Sequence, residues 1–471
     1  MYLPASRHDL LRAVALAGVA ALIWIVWQGA WTRAAWDSPA SYSVDALEYL
    51  ARLKLCEERG MSFLINEDAP RLGAPWAADW AAYPMPDRPI NVATGRIARV
   101  TGLIVAGNLS LLAAHVLGTL GFFAAARLCG HRPLFAAAGG LVFGFSYYIA
   151  QRGFSHYSFA LAFVVPLMLA ATLVAGGARH LLRRRAVQLG GALVAILVAL
   201  GNPYFGFLFG QLLLGALVTR LVLHRGRDNT VILAWLGLFL IVLLLANLSA
   251  VRALLSGEGA VLARNYAATE LYGLRPIEFL VPPPTHRWTA AAEIGRRYAS
   301  ATSLGGELFF PYLGFVGLAG LALVCGEGLV RLGRGRLGLR PAHLPLLVWI
   351  VGFAMVGGAA AVFAFGITDL FRATNRYSIC VAAVTLLALT SWATRRAGRL
   401  PPLVAALLTA VLVVLALWDQ LPPVRQTARS CTLGSNATAA PPPPWRRHYL
   451  PGRWSSSCRP FRFSSNQRSG R

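Results

Sequence analysis

Eleven apolar runs, each close to the length that crosses a bilayer, follow one another through the first 420 residues. They fall near 11–31, 100–126, 133–150, 157–177, 186–201, 203–223, 230–250, 309–328, 344–365, 377–393 and 401–418. A helix rises about 1.5 Å per residue, so roughly 20 mostly apolar residues cross the hydrocarbon core. No soluble fold hides this much apolar surface: 56% of the 471 residues are hydrophobic, 13% are charged, and mean hydropathy is +0.56. The reading is an all-α polytopic membrane protein with about 11 transmembrane helices. The first run ends in Trp24, Trp27 and Trp31 with no small-residue cleavage site behind it. It reads as a retained helix with an interfacial aromatic belt rather than a cleaved signal.

The formal net charge of +25 does not point to nucleic acid, because the arginines sit in short clusters between apolar runs. These clusters are Arg7 with Arg12, Arg127 with Arg132, Arg179 with Arg183–Arg185, Arg220 with Arg225 and Arg227, Arg331–Arg340, and Arg395 with Arg396 and Arg399. If the runs alternate, all six fall on one side of the membrane. The positive-inside rule makes that side cytoplasmic, the N-terminus included. The outer side then receives the loop 32–99, the turns around Arg152–His156 and Asn202, the loop 251–308 and the segment Ile367–Arg376. The six cysteines, Cys56, Cys129, Cys325, Cys380, Cys431 and Cys458, show neither metal-ligand spacing nor a disulfide framework.

The first outer loop concentrates acid. Asp45, Glu48, Glu57, Glu58, Glu67, Asp68, Asp79 and Asp87 lie within Ser41–Arg88 and make up eight of the 19 acidic residues. Ser43 can cap a helix starting near Asp45, with Leu47, Leu50, Leu53 and Leu55 as an apolar stripe suited to the membrane surface. Beyond it, Pro70-Arg71-Leu72-Gly73-Ala74-Pro75-Trp76, Asp79-Trp80 and Tyr83-Pro84-Met85-Pro86-Asp87 read as an irregular loop able to line a site. Gly201-Asn202-Pro203 reads as a tight outer turn between two spans. The loop 251–308, with Pro282-Pro283-Pro284 and His286-Arg287, is expected to hold short helices over the outer mouth.

Several residues there have chemistry to offer, each with a plainer alternative. A carboxylate at Asp45 can accept a proton from an acceptor hydroxyl, or it can simply favour the start of a surface helix. Arg372 and Arg376, four apart, can clamp a phosphate from one helical face, or pair with Asp369 or lipid phosphate. His156, beside Arg152, can bind a sugar hydroxyl or phosphate, or rest in the headgroup layer. Asn202 and Tyr204 can reach the same cavity, or serve the turn alone. Asp45 with Asp79 or Asp87 can hold a divalent ion, although carboxylates scattered through a loop carry little weight.

The pattern resembles the GT-C superfamily of polytopic glycosyltransferases. The resemblance rests on Asp45-Ala-Leu-Glu48-Tyr49 directly after the first span and on the large first outer loop. The Pro70–Pro75 segment, Asp79, Tyr83-Pro84-Met85 and Phe371-Arg372-Ala373-Thr374-Asn375-Arg376 resemble a bacterial glucosyltransferase-like, YfhO-related branch. By architecture the likeness covers roughly residues 1–420. It implies transfer of a sugar from a polyprenyl-phosphate donor to a glycan, lipid or protein acceptor at the extracytoplasmic face of a bacterial inner membrane. Asp45 would be the base and Arg372 or Arg376 would meet the phosphate. Glu48, Asp79, Asp87, Arg152, His156, Asn202 and Tyr204 would line the substrate site. Two other functions stay open: a transporter or flippase of a lipid-linked saccharide, which should show matched helix breaks and midplane charges, and a non-catalytic assembly subunit. The tail from about Thr427, with Pro441–Pro444 and many arginines, reads either as a disordered segment or as a frameshifted end replacing a soluble domain.

Overall fold

The computed structural model describes residues 7–41, 45–59, 86–177, 182–222, 229–256, 265–302, 306–334, 343–367, 370–396 and 400–423. The rest of the first outer loop, including Asp79 and the Pro70–Met85 segments, lies outside the described residues. So do Ser43, Asp369 and the tail beyond Pro423. The described part is an all-α polytopic membrane protein. Among the described residues eight helical segments are long and apolar enough to cross a bilayer: 8–28, 103–128, 133–152, 203–222, 229–246, 314–333, 374–396 and 402–420. Three shorter apolar helices, Val164–Gly177, Arg185–Leu200 and His343–Ala354, fall where the remaining runs were expected.

In chain order the helices begin with α1 (Arg7–Gln28), the short α2 (Arg33–Asp37), α3 (Ala46–Arg59), α4 (Arg88–Thr101), α5 (Leu103–Leu128), α6 (Pro133–Gly144), α7 (Tyr147–Arg152), α8 (Tyr157–Ala160) and α9 (Val164–Gly177). They continue with α10 (Arg185–Leu200), α11 (Pro203–Val222), α12 (Asn229–Ala246), α13 (Leu248–Ser256), α14 (Ala267–Leu271) and α15 (Thr289–Ala301). The last five are α16 (Gly314–Gly333), α17 (His343–Ala354), α18 (Ala359–Gly366), α19 (Ser378–Arg396) and α20 (Pro402–Gln420). The segment with α19 has 72% of its apolar window buried, whereas that of α20 has 17%. A helix apolar all round belongs inside the bundle when its neighbours cover it, and faces lipid when they do not. Residues 374–396 are therefore the central post, while α1, α16 and α20 form the rim.

Contacts sort the connecting segments into two ends, and the sorting follows the arginine clusters. At one end Asp9 pairs with Arg127 at 3.1 Å, the Arg132 backbone N–H donates to Thr394, Arg220 donates to Asn229, and Arg395 reaches Glu327. At the other end Asn108 donates to the carbonyls of Trp36 and Ser38, the Asp87 N–H donates to the Leu200 carbonyl, and Trp27 donates to the Pro422 carbonyl. This second end carries Asp45. Arg287 also lies here and donates to the Leu421 and Pro422 carbonyls. A cation on the free carbonyls of a helix C-terminus favours both the hydrogen bonds and the dipole. The loop after α13 holds short helices, as expected, and this contact ties it to α20.

One expectation for the first loop needs correction. Of the expected stripe Leu50, Leu53 and Leu55 are buried, together with Ala46, Tyr49 and Cys56, while Leu47 points outward at 61% exposure. The reason is a partner the sequence reading did not supply: α4, a second helix, lies against it. Gly95 makes the approach possible, since an added Cβ there would collide with Cβ of Cys56. The stripe of α3 thus faces protein.

The run 133–150 is likewise not one straight helix. It breaks at Phe145-Ser146, between α6 and α7, deep in the bundle. Freed backbone groups at such depth must find partners inside the protein. The Gly144 carbonyl accepts from Nδ1 of His115 at 2.7 Å, and the Tyr147 N–H donates to Oε1 of Gln420 at 2.6 Å. A second interruption, at Met355–Gly358, separates α17 from α18.

Candidate functional site

Asp45, Arg152 and Arg376 owe their positions to helix ends. Asp45 precedes α3, and its carbonyl accepts from the Glu48 N–H. Arg152 closes α7. Gly153 follows with φ of +48°, a backbone state that disfavours side chains, and a Cβ there would also strike the Ser41 hydroxyl. The turn this permits delivers His156 to the same corner as Arg152. Arg376 lies in a short 3-10 helix, Thr374–Tyr377, that leads into α19.

These residues converge on a carboxylate that sequence reasoning missed, Glu307. Its Oε2 accepts from Nη1 of Arg152 at 2.6 Å, and its Oε1 accepts from Nη2 and Nε of Arg376 at 2.5 and 3.2 Å. Nε2 of His156 stands 3.6 Å from Glu307 and 3.8 Å from Oδ2 of Asp45, so the imidazole lies between the two carboxylates, just beyond hydrogen-bond reach of each. Aromatic faces back the cations. The Arg152 guanidinium lies 3.8 Å over Phe310 and 4.5 Å over Tyr148, and that of Arg376 lies 4.2 Å over Phe159. The Arg152 side chain is fully buried and that of Glu307 is 10% exposed, while Asp45 leaves 55% of its side chain open. Of the two carboxylates, Asp45 is the one open to a molecule arriving from outside.

Burial alone would raise the Glu307 pKa, but the adjacent Arg152 and Arg376 charges overcome it and hold the carboxyl well below its usual range. His156 moves down to about 4, through burial first and then repulsion from Arg152. At neutral pH the corner therefore holds two guanidiniums, one buried carboxylate and a neutral imidazole.

The other expected residues divide between this corner and its surroundings. Asp87 is buried at the start of α4 and accepts from the Ser158 hydroxyl; that hydroxyl accepts in turn from Nδ2 of Asn202 at 2.8 Å. The Asn202 side chain also accepts from the Tyr204 N–H, and the Tyr204 hydroxyl accepts from the Ala373 N–H at 3.3 Å. Asp87 thus belongs to a chain beside the cluster. Glu48 pairs with Arg52 on the surface of α3. Arg372 and Arg376 do not share a helical face, because Arg372 precedes the 3-10 helix. Arg376 turns to Glu307, whereas Arg372 lies 5.5 Å from the Tyr272 ring centroid and makes no ion pair among the described residues. A cavity of about 10 Å³, lined by Ser146, Tyr148, Phe310, Ser378 and Gln420, adjoins the cluster and has room for about one water. Among the described residues no group of three His, Cys, Asp or Glu side chains is arranged to hold a metal ion.

Asp87 offers a pH test. Burial raises its pKa from 3.8 to about 7 against the opposing pull of Ser158 and Arg52. The folded chain then prefers the protonated acid, so this group's contribution to stability falls as pH rises from about 4 to 7. His156 acts in the opposite sense, favouring the fold as pH rises from about 4 to 6.5. Comparing wild type with Asp87→Asn removes the histidine effect. The melting midpoint of wild type relative to the variant, measured in detergent micelles, should drop between pH 4 and 7; a difference independent of pH would mean that Asp87 titrates as an ordinary carboxylate. The free-energy span is on the order of 4 kcal/mol.

Signals for Glu307 existed only in charge balance. Two arginines set at the ends of apolar helical segments, where burial is expected, need a buried anion. Glu307 stands directly before the apolar run 309–328. No protein-family model, curated protein or solved structure matches the chain.

Proposed function

We propose that the chain transfers a sugar from a polyprenyl-phosphate-linked donor to an acceptor hydroxyl at the Asp45 end of the bundle. One observation carries the reading: an exposed carboxylate, Asp45, stands within one imidazole of a buried pair of arginines. Glycosyl transfer needs both. Asp45 takes the proton from the acceptor hydroxyl as its oxygen bonds to the anomeric carbon. The bond from that carbon to the phosphate oxygen breaks, and the leaving prenyl phosphate carries away negative charge that the guanidiniums of Arg152 and Arg376 stabilise. Arg372 is a further contact for the phosphate on its way in. The end bearing Asp45 is assigned to the extracytoplasmic face of a bacterial inner membrane, with the arginine-clustered end and the N-terminus cytoplasmic.

The test is reconstitution in vesicles whose orientation is read by labelling a cysteine placed at position 334. Radiolabelled polyprenyl-phosphate hexoses go into the bilayer and a membrane-impermeant acceptor extract outside. Label should leave the lipid only in vesicles that shield position 334. No transfer in either orientation would count against the enzyme, and transfer only where position 334 is accessible would reverse the orientation.

A transporter of a lipid-linked saccharide is the second reading. The two interrupted runs, α6–α7 and α17–α18, favour it, because unwound backbone within a bundle is a transporter feature. The gathering of the ionisable cluster at one end, rather than along a path, favours the enzyme. Movement of intact lipid-linked sugar between leaflets without consumption would establish the transporter.

A further inference from the structure

Glu307 engages its arginines as a phosphate would. A guanidinium fork binds carboxylate and phosphate oxygens with the same paired N–H geometry. Arg376 uses both Nε and Nη2 on Oε1, and Arg152 adds Nη1 on Oε2. The fully buried Arg152 keeps Nε and Nη2 without a hydrogen-bond partner among the described residues. In the buried part of the cluster two guanidiniums face the one carboxylate of Glu307, with Asp45 standing outside it. The cations do not depend on Glu307 for their positions alone, since Phe310, Tyr148 and Phe159 hold them through their ring faces. The Glu307 main chain is anchored separately, its carbonyl accepting from Nδ2 of Asn375 at 3.2 Å. Its carboxylate can therefore leave the arginines by side-chain rotation, with the backbone in place.

We infer that Glu307 is an internal stand-in for the ligand's phosphoryl group, occupying an anion seat made by Arg152 and Arg376 until a prenyl phosphate displaces it. The seat is autoinhibited by its own carboxylate, and the ligand must outcompete that contact. The choice of a prenyl phosphate rests on the proposed function; the competition between Glu307 and a phosphate does not.

The test measures binding to the purified full chain in micelles, by calorimetry, with three probes: a short-chain polyprenyl monophosphate, phosphatidic acid and inorganic phosphate. Glu307→Gln should bind the polyprenyl monophosphate at least about tenfold more tightly than wild type, the equivalent of about 1.4 kcal/mol. Adding Arg376→Gln to it should abolish the gain. Glu307→Asp, which keeps the charge but draws the carboxylate back, should bind more tightly than wild type by a smaller factor. It serves as the test should Glu307→Gln fail to fold. A folded Glu307→Gln or Glu307→Asp that binds the polyprenyl monophosphate no better than wild type overturns the inference. Tightening for inorganic phosphate or phosphatidic acid alone overturns the prenyl assignment. Because binding is read without turnover, a chain that transfers sugar yet shows no tightening loses only this inference. One that shows tightening but no transfer loses only the proposed function.

Discussion

Replacing Asp45 with asparagine is expected to lower sugar transfer by about 10²–10⁴-fold, the usual cost of losing a general base, while donor binding is unchanged. Asparagine keeps the shape of aspartate and can accept a hydrogen bond, but it cannot take the acceptor proton. The position makes the experiment clean. Asp45 is 55% exposed, and among the described residues it stands 3.8 Å from the His156 imidazole, so the exchange disturbs little packing and breaks no buried pair. Turnover and donor affinity should be measured separately, because only a rate effect identifies an interaction made in the transition state. An asparagine variant that turns over normally would leave Asp45 as an acid at the start of α3 and nothing more.

Removing Arg152 should do the most damage to the fold. Arg152→Met would leave Glu307 buried against Arg376 alone, and stripping one partner from a buried ion cluster costs about 3–5 kcal/mol. Methionine still covers Phe310 and Tyr148, so the loss is mostly one of charge. The double variant Arg152→Met, Glu307→Gln should cost less than the sum of the two single variants, because the Arg152–Glu307 pair is lost only once, although Arg376 is then left without its carboxylate. Unfolding of both single variants and the double variant in micelles gives the coupling energy. A single variant within about 1 kcal/mol of wild type, or simple additivity in the double variant, would show that the cluster is no buried network.

The fold was legible where it rests on length and hydropathy. Every apolar run corresponds to a helical segment, and the arginine clusters sort the connections into the two ends that the contacts display. The breaks were not legible. Gly144-Phe145-Ser146 are weak helix formers, but Gly139 and Gly140 in the same run stay helical, so propensity does not locate the break, and the interruption depends on His115 and Gln420, which are remote in sequence. At the candidate site, Asp45, Arg152, His156 and Arg376 could be picked out because charge beside an apolar run is conspicuous. Their arrangement could not. The expected helical clamp of Arg372 with Arg376 fails because a 3-10 turn parts them, and the residue that organises the corner, Glu307, lies in a loop without a local pattern. α4 escaped notice for a similar reason: its interior face makes sense only once α3 lies against Gly95.

The break between α6 and α7 also bears on how such a chain is made. Tyr147 belongs to the third apolar run to leave the ribosome, yet its backbone N–H is satisfied by Gln420, at the very end of the last. An unsatisfied backbone group in hydrocarbon costs several kcal/mol. Until some 270 further residues have been synthesised, the third run must therefore either stay a continuous helix or be shielded by insertion machinery. Its native shape is a late event in biogenesis, and the final helix acts as the clasp that closes the bundle.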